Sequence, residues 1–133
     1  MKKMVFTVLT GLTALLLATT MVFADAAEDK ELSTTFYEAT HKECLVQMAE
    51  SVELKKYTGM ADAICPCLVT YLKGHYLIDD IRFMASMEIK TENKEAMTSD
   101  EIKRRESLLD ISGDAGTQCA KDYFDAHPNA ASN

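Results

Sequence analysis

The tripeptide Cys65-Pro66-Cys67, with Cys44 upstream and Cys119 downstream, constrains this chain more tightly than any other feature. These four cysteines are its whole thiol inventory. In a helix, residues i and i+2 project about 200° apart, so the two central sulfurs face opposite ways. Such a pair is badly placed to close on itself and well placed to reach two different neighbours. The pattern predicts an all-α fold, a small bundle of four to five helices stapled by two disulfides. One central sulfur engages Cys44 and the other Cys119. Of the three connectivities that four cysteines allow, Cys44–Cys119 with a strained Cys65–Cys67 ring is the least favoured. Between the other two, Cys44–Cys67 with Cys65–Cys119 is preferred, because Cys67 lies deeper from the loop joining the first two helices.

Disulfides need an oxidising compartment, and the first residues point to one. Met1-Lys2-Lys3 gives a positive start, Met4 to Phe23 is apolar apart from threonines and Gly11, and Val22-Phe23-Ala24 offers small residues at a cleavage site. That is the pattern of a bacterial secretory signal peptide over residues 1–24. Cleavage after Ala26 is the alternative site, and an uncleaved anchor the competing reading. Residues 25–133 then form a single helical domain with frayed ends, periplasmic or secreted, with no membrane attachment after cleavage. Loss of Lys2 and Lys3 takes the formal charge from −7 to −9. An acidic domain repels nucleic acid and anionic lipid; a cationic partner or plain solubility fits better, and a protein partner is expected.

The mature chain reads as helices throughout. From Ser33, residues Tyr37, His41, Cys44, Leu45, Met48 and Val52 share one face at 3- and 4-residue spacing. Leu54 to Gly59 reads as a loop. A second helix is expected from Asp62 as N-cap, with Pro66 in its first turn or so and Lys73-Gly74 at its end. A third follows from Asp79 to Ile89, burying the side that carries Leu77, Ile81, Met84, Ala85 and Glu88. Thr98 and Glu101 form a capping-box pair opening a fourth helix, whose apolar positions begin with Ile102, Leu108 and Leu109. Ser112-Gly113-Asp114-Ala115-Gly116 either breaks that helix or packs closely, and Cys119, Tyr123 and Phe124 continue it to His127-Pro128.

Chemistry is harder to find. A Cys-x-Cys pair near a helix start is a possible exchange-active disulfide, but no Cys-x-x-Cys and no βαβ pattern accompany it. Zinc would want Cys-x-x-Cys or paired histidines; soft copper could use Cys65 and Cys67 with Met84 and Met87. His41, His75 and His127 are scattered, His41 reading as a packed side chain on an apolar face. No serine, histidine and acid group into a triad, so no catalytic, cofactor or metal residue is assigned. Lys103-Arg104-Arg105 is a local basic run, a solvated face or a docking patch.

An apolar residue before Cys-x-Cys, a cysteine about 20 residues upstream and a late fourth cysteine resemble small exported helical proteins of Gram-negative bacteria. The stretch Cys67-Leu68-Val69-Thr70-Tyr71-Leu72-Lys73-Gly74 also resembles the Cys-x-x-Tyr-x-x-Gly pattern of periplasmic immunity proteins against type VI secretion amidases, with the spacing off by one. That resemblance implies an all-helical, disulfide-bonded inhibitor of a peptidoglycan amidase. The expectation is a non-enzymatic binding or inhibitor protein, with a thiol-active redox protein or a structural accessory protein as alternatives.

Overall fold

The computed structural model describes the backbone of residues 2–130 and the side chains of residues 26–130. The side chains of the expected leader therefore lie outside the described residues. Four helices follow one another: α1 (Lys2–Glu50), α2 (Met60–His75), α3 (Ile78–Glu92) and α4 (Ser99–Ala126). A 3-10 turn at Leu54–Lys56 interrupts the link between the first two, and the described residues contain no strand. The fold is all-α with two disulfides, as the cysteine pattern predicts.

The chain divides into two units, residues 1–34 and residues 35–133. In the first, α1 is already helical through residues 25–30, where fraying was expected. Ala26, Ala27, Glu28, Lys30 and Glu31 are good helix formers with no breaker among them. Thr34 returns its hydroxyl to the Lys30 carbonyl at 2.8 Å.

In the second unit, helix boundaries depart from expectation in instructive ways. Gly59 caps α2 with φ of +78°, a left-handed backbone that glycine alone adopts without penalty. The helix therefore starts at Met60, before Asp62, which sits in the first turn and complements the helix dipole. Pro66 consequently lies inside α2 and not at its start. It cannot donate to the Asp62 carbonyl, a position that ordinarily costs a helix ~3 kcal/mol. A disulfide on each side holds that turn in place.

Helix α3 begins after Leu77, one residue ahead of the expected start at Asp79, and the Leu77 N–H donates to the Asp80 carboxylate at 3.0 Å, so Asp80 caps it. Its buried side carries Ile81 and Met87, while Leu77 is 71% exposed. The helix is thus rotated from the face the sequence suggested, because Tyr76, just before it, takes the core position. At its end, Glu95 N–H bonds the Lys90 carbonyl (2.8 Å) and Lys94 N–H the Thr91 carbonyl (3.2 Å). This is a Schellman closure with Lys94 in the left-handed seat at φ 57°.

Helix α4 opens on the expected capping box: Thr98 N–H to Glu101 Oε2 at 2.8 Å, Glu101 N–H to Thr98 Oγ1 at 3.3 Å. It then runs unbroken through Ser112–Gly116. A Cβ added at Gly113 or Gly116 would meet nothing within 4 Å, so neither glycine serves a close approach. Ala115, fully buried, is the contact residue of that stretch. Leu108 also faces inward, whereas Ile102 and Leu109 stay about half exposed.

Helices α2 and α4 pack antiparallel. Tyr123 Oη donates to the Thr58 carbonyl (3.2 Å) at one end, and Tyr76 Oη donates to the Leu108 carbonyl (2.5 Å) at the other. Met60 and Ile64 form a buried cluster with Cys119 and Tyr123, bordered by Met48, Tyr57 and Cys67. The disulfides join Cys44 to Cys65 and Cys67 to Cys119, correcting the preferred pairing of Cys44 with Cys67 and Cys65 with Cys119. Depth counted along the helices does not discriminate: with α1 ending at Glu50 and α2 starting at Met60, the sequence offsets of Cys65 and Cys67 from the link bracket that of Cys44. Face decides. Met60, Ile64 and Cys67 recur at helical spacing on the stripe of α2 that meets α4, which leaves Cys65 on the opposite side, toward α1.

Candidate functional site

The four predicted cysteines occupy two different environments. Cys65 is 0% exposed and Cys119 nearly so, while Cys44 and Cys67 are partly accessible. Their Cα atoms lie 5.7 and 5.9 Å apart, ordinary disulfide spacings. Two disulfides mark a chain that matures in an oxidising compartment. With every thiol oxidised, Cys65 and Cys67 offer no thiolate to copper. Met87 is core and Met84 half-buried. Among the described residues no cluster of three metal-ligating side chains occurs, and no helix is long and apolar enough to cross a membrane.

Cys44, bonded to the buried Cys65, lines a cleft of about 440 Å³ within residues 35–133. Its apolar lining comes from Phe36, Ala39, Met48, Leu54 and Leu68. Glu43 and Gln47 of α1 stand on one side, and Glu88 of α3 and Ser112 of α4 also line it. Gln47 Nε2 donates to Glu43 Oε1 at 3.1 Å, one turn along the helix.

A second cleft, of about 510 Å³, opens where the end of α4 meets the 3-10 turn. Lys56, Tyr57, Tyr123 and His127 line it, and among the described residues no carboxylate does. The His127 ring stacks on Tyr123 at 4.5 Å, and its Nδ1 bonds the Tyr123 carbonyl at 2.9 Å. With Nδ1 engaged, Nε2 is the nitrogen left toward the surroundings. His75 repeats the device on α2, stacking on Tyr71 at 4.0 Å with Nδ1 2.8 Å from the Tyr71 carbonyl. Both imidazoles close helix C-termini. His41 is half-buried on α1 and lines neither cleft.

Electrostatics serve the scaffold. Arg104 donates to the Asp79 carbonyl (3.2 Å) and the Asp80 carboxylate (3.0 Å) and lies 4.5 Å over the Phe83 ring. The middle of the basic run is therefore a clamp between α4 and the start of α3. The Leu77 N–H first, and then Arg104, holds the Asp80 carboxyl below the usual carboxylate range. Lys90 bonds Glu101 at 2.6 Å, and with the Thr98 N–H it likewise holds that carboxyl low. Burial pushes the Tyr37 and Tyr76 phenols up, so both remain neutral donors. Tyr37 Oη approaches the Leu72 carbonyl at 3.5 Å and Lys73 caps its ring at 5.3 Å.

No family model matches the chain, and neither does any curated protein or solved structure at a significant level. The cleft beside Cys44, built from four segments far apart in sequence, had no linear signal by which to find it. Tyr37 and Tyr76 were equally silent, since a tyrosine at a helical core position gives no hint of the carbonyl it will meet.

Proposed function

We propose that this chain is a non-enzymatic binding or inhibitor protein of the periplasm, and that its most concrete form is an immunity protein against a secreted cell-wall hydrolase. The observation that supports it is the covalently pinned cleft, where Cys44 is at once a wall of the concavity and one end of a bond into the core. A concave surface held this way loses little freedom on association, so more of its contact energy appears as affinity. The redox alternative needs Cys65 and Cys67 to act as one pair. They belong to two, and Cys65 is out of reach of an attacking thiolate, which favours staples over exchange.

The test is protection. Cells exporting a peptidoglycan amidase of the type VI secretion class should lyse when it is expressed alone and survive when this chain, as its cognate inhibitor, is exported with it. The purified pair should form a complex that suppresses amidase activity. Equal lysis with and without the chain would overturn the immunity form. Export belongs to the same proposal, and the mass of the periplasmic protein should correspond to a chain starting at Asp25. Recovery of the intact chain from the membrane fraction would refute it.

A further inference from the structure

The two clefts carry opposite charge. Among the described residues, that beside Cys44 is lined by Glu43 and Glu88 and by no lysine or arginine, whereas the one at the end of α4 is lined by Lys56 and by no carboxylate. We infer that the cleft beside Cys44 takes a cationic, apolar-tipped segment of a partner protein, an aliphatic side chain filling the floor while Lys or Arg side chains meet Glu43 and Glu88. This rests on the binding reading above and names the chemistry of its partner.

The floor is suited to such a tip. Phe36, Ala39, Met48, Leu54 and Leu68 offer apolar surface, and about 440 Å³ lies within the usual range of sites that bury compact groups. Apolar surface continues beyond the rim: Val46, one helical turn from Glu43, and Leu109, one turn from Ser112, are each close to half exposed. The carboxylates come from two helices, so a basic segment laid across the cleft has a partner on α1 and another on α3. An anionic segment would be repelled at both. Aliphatic stems of Lys and Arg lie along apolar walls while their charged heads stay in water, which matches a floor of this kind under an acidic rim. The net charge, −7 for the full chain and −9 once Lys2 and Lys3 are lost, adds long-range attraction for a basic partner, and that part weakens with salt.

The probe is a fluorescently labelled twelve-residue peptide with leucines and lysines at helical spacing. Its control carries glutamine in place of every lysine. Anisotropy with the purified, fully disulfide-bonded chain should show saturable binding of the lysine peptide, weakening between 50 and 300 mM salt, and at least tenfold weaker binding of the control. The double variant Glu43→Gln, Glu88→Gln should lower affinity about tenfold, and Ala39→Trp, which fills the floor, should do at least as much. Both carboxylates are exposed, so the double variant should melt with the native protein. Removing two acids elsewhere, Asp100→Asn with Glu106→Gln, should change affinity less than threefold, as should Lys56→Ala in the other cleft. Equal binding by the control peptide would overturn the proposal. So would equal losses from the two acid pairs, which would mean diffuse attraction to an acidic protein. The same variants tried against the amidase separate the two proposals. Undiminished amidase binding by Ala39→Trp would remove the cleft and leave the immunity reading. Specific peptide binding with no amidase binding would remove the immunity reading and leave the cleft.

Discussion

Replacing Cys67 and Cys119 together by alanine removes a link across 52 residues, and replacing Cys44 and Cys65 removes one across 21. A cross-link withdraws entropy from the unfolded chain that grows with the logarithm of the loop. For loops of these lengths the stabilisation is about 4 and about 3 kcal/mol respectively. The loops follow one another and share no residue, so the two losses should add, to about 7 kcal/mol. Domains of this size have about 5–15 kcal/mol in total, so the variant lacking both disulfides should be marginal or unfolded at 25 °C. Urea unfolding followed by circular dichroism measures each loss. The slope against urea should rise as links are removed, because the freed unfolded chain exposes more surface. A loss below about 1 kcal/mol for either pair would refute the assignment of the sulfurs as staples. A combined loss far short of the sum would refute the separation of the loops.

Gly113→Ala and Gly116→Ala should each stabilise by about 0.5–1 kcal/mol, since both sit mid-helix with open space for a methyl group; lower melting temperatures would mean that α4 is broken there. Lys94→Gly should stabilise by about 1 kcal/mol by relieving the left-handed backbone at the end of α3, read from the same melts. Asp80 and Glu101 have carboxyls held low in the fold, so their contribution is complete above the ordinary carboxylate range and disappears as pH falls through their lowered values. Melting temperature should accordingly fall in acid below about pH 4, and Asp80→Asn should flatten that fall while costing stability at neutral pH. An unchanged acid slope in Asp80→Asn would contradict it.

Helical period and cap chemistry are local, and they were legible: the Thr98 and Glu101 box forms as its spacing says, and every element is a helix. The cysteine count told how many staples there are. Which sulfur meets which depends on rotation of α2 about its axis, set by Met60 and Ile64 facing α4, and a two-residue difference in depth could not reveal that. Pro66 looked like a helix start because propensity places it there; the left-handed Gly59 nucleates the helix earlier and tertiary links override the penalty. The third helix was expected from Asp79; Asp80 takes the capping role instead, and Arg104, arriving from 24 residues away, engages its carboxylate. The cleft beside Cys44 depends on four segments arriving together, so no window of sequence contains it.

The order of the cysteine pairs has a consequence for how the protein is made. Each cysteine is bonded to the next one along the chain, Cys44 to Cys65 and then Cys67 to Cys119. A chain threaded into an oxidising compartment from its N-terminus presents its thiols in that same order. Cys65 arrives while Cys44 is the only thiol waiting, and Cys67 then has no free competitor until Cys119 emerges. Sequential oxidation therefore yields the native pairing directly. A thiol oxidase should suffice to mature this protein, and cells lacking disulfide isomerase should still produce it correctly bonded.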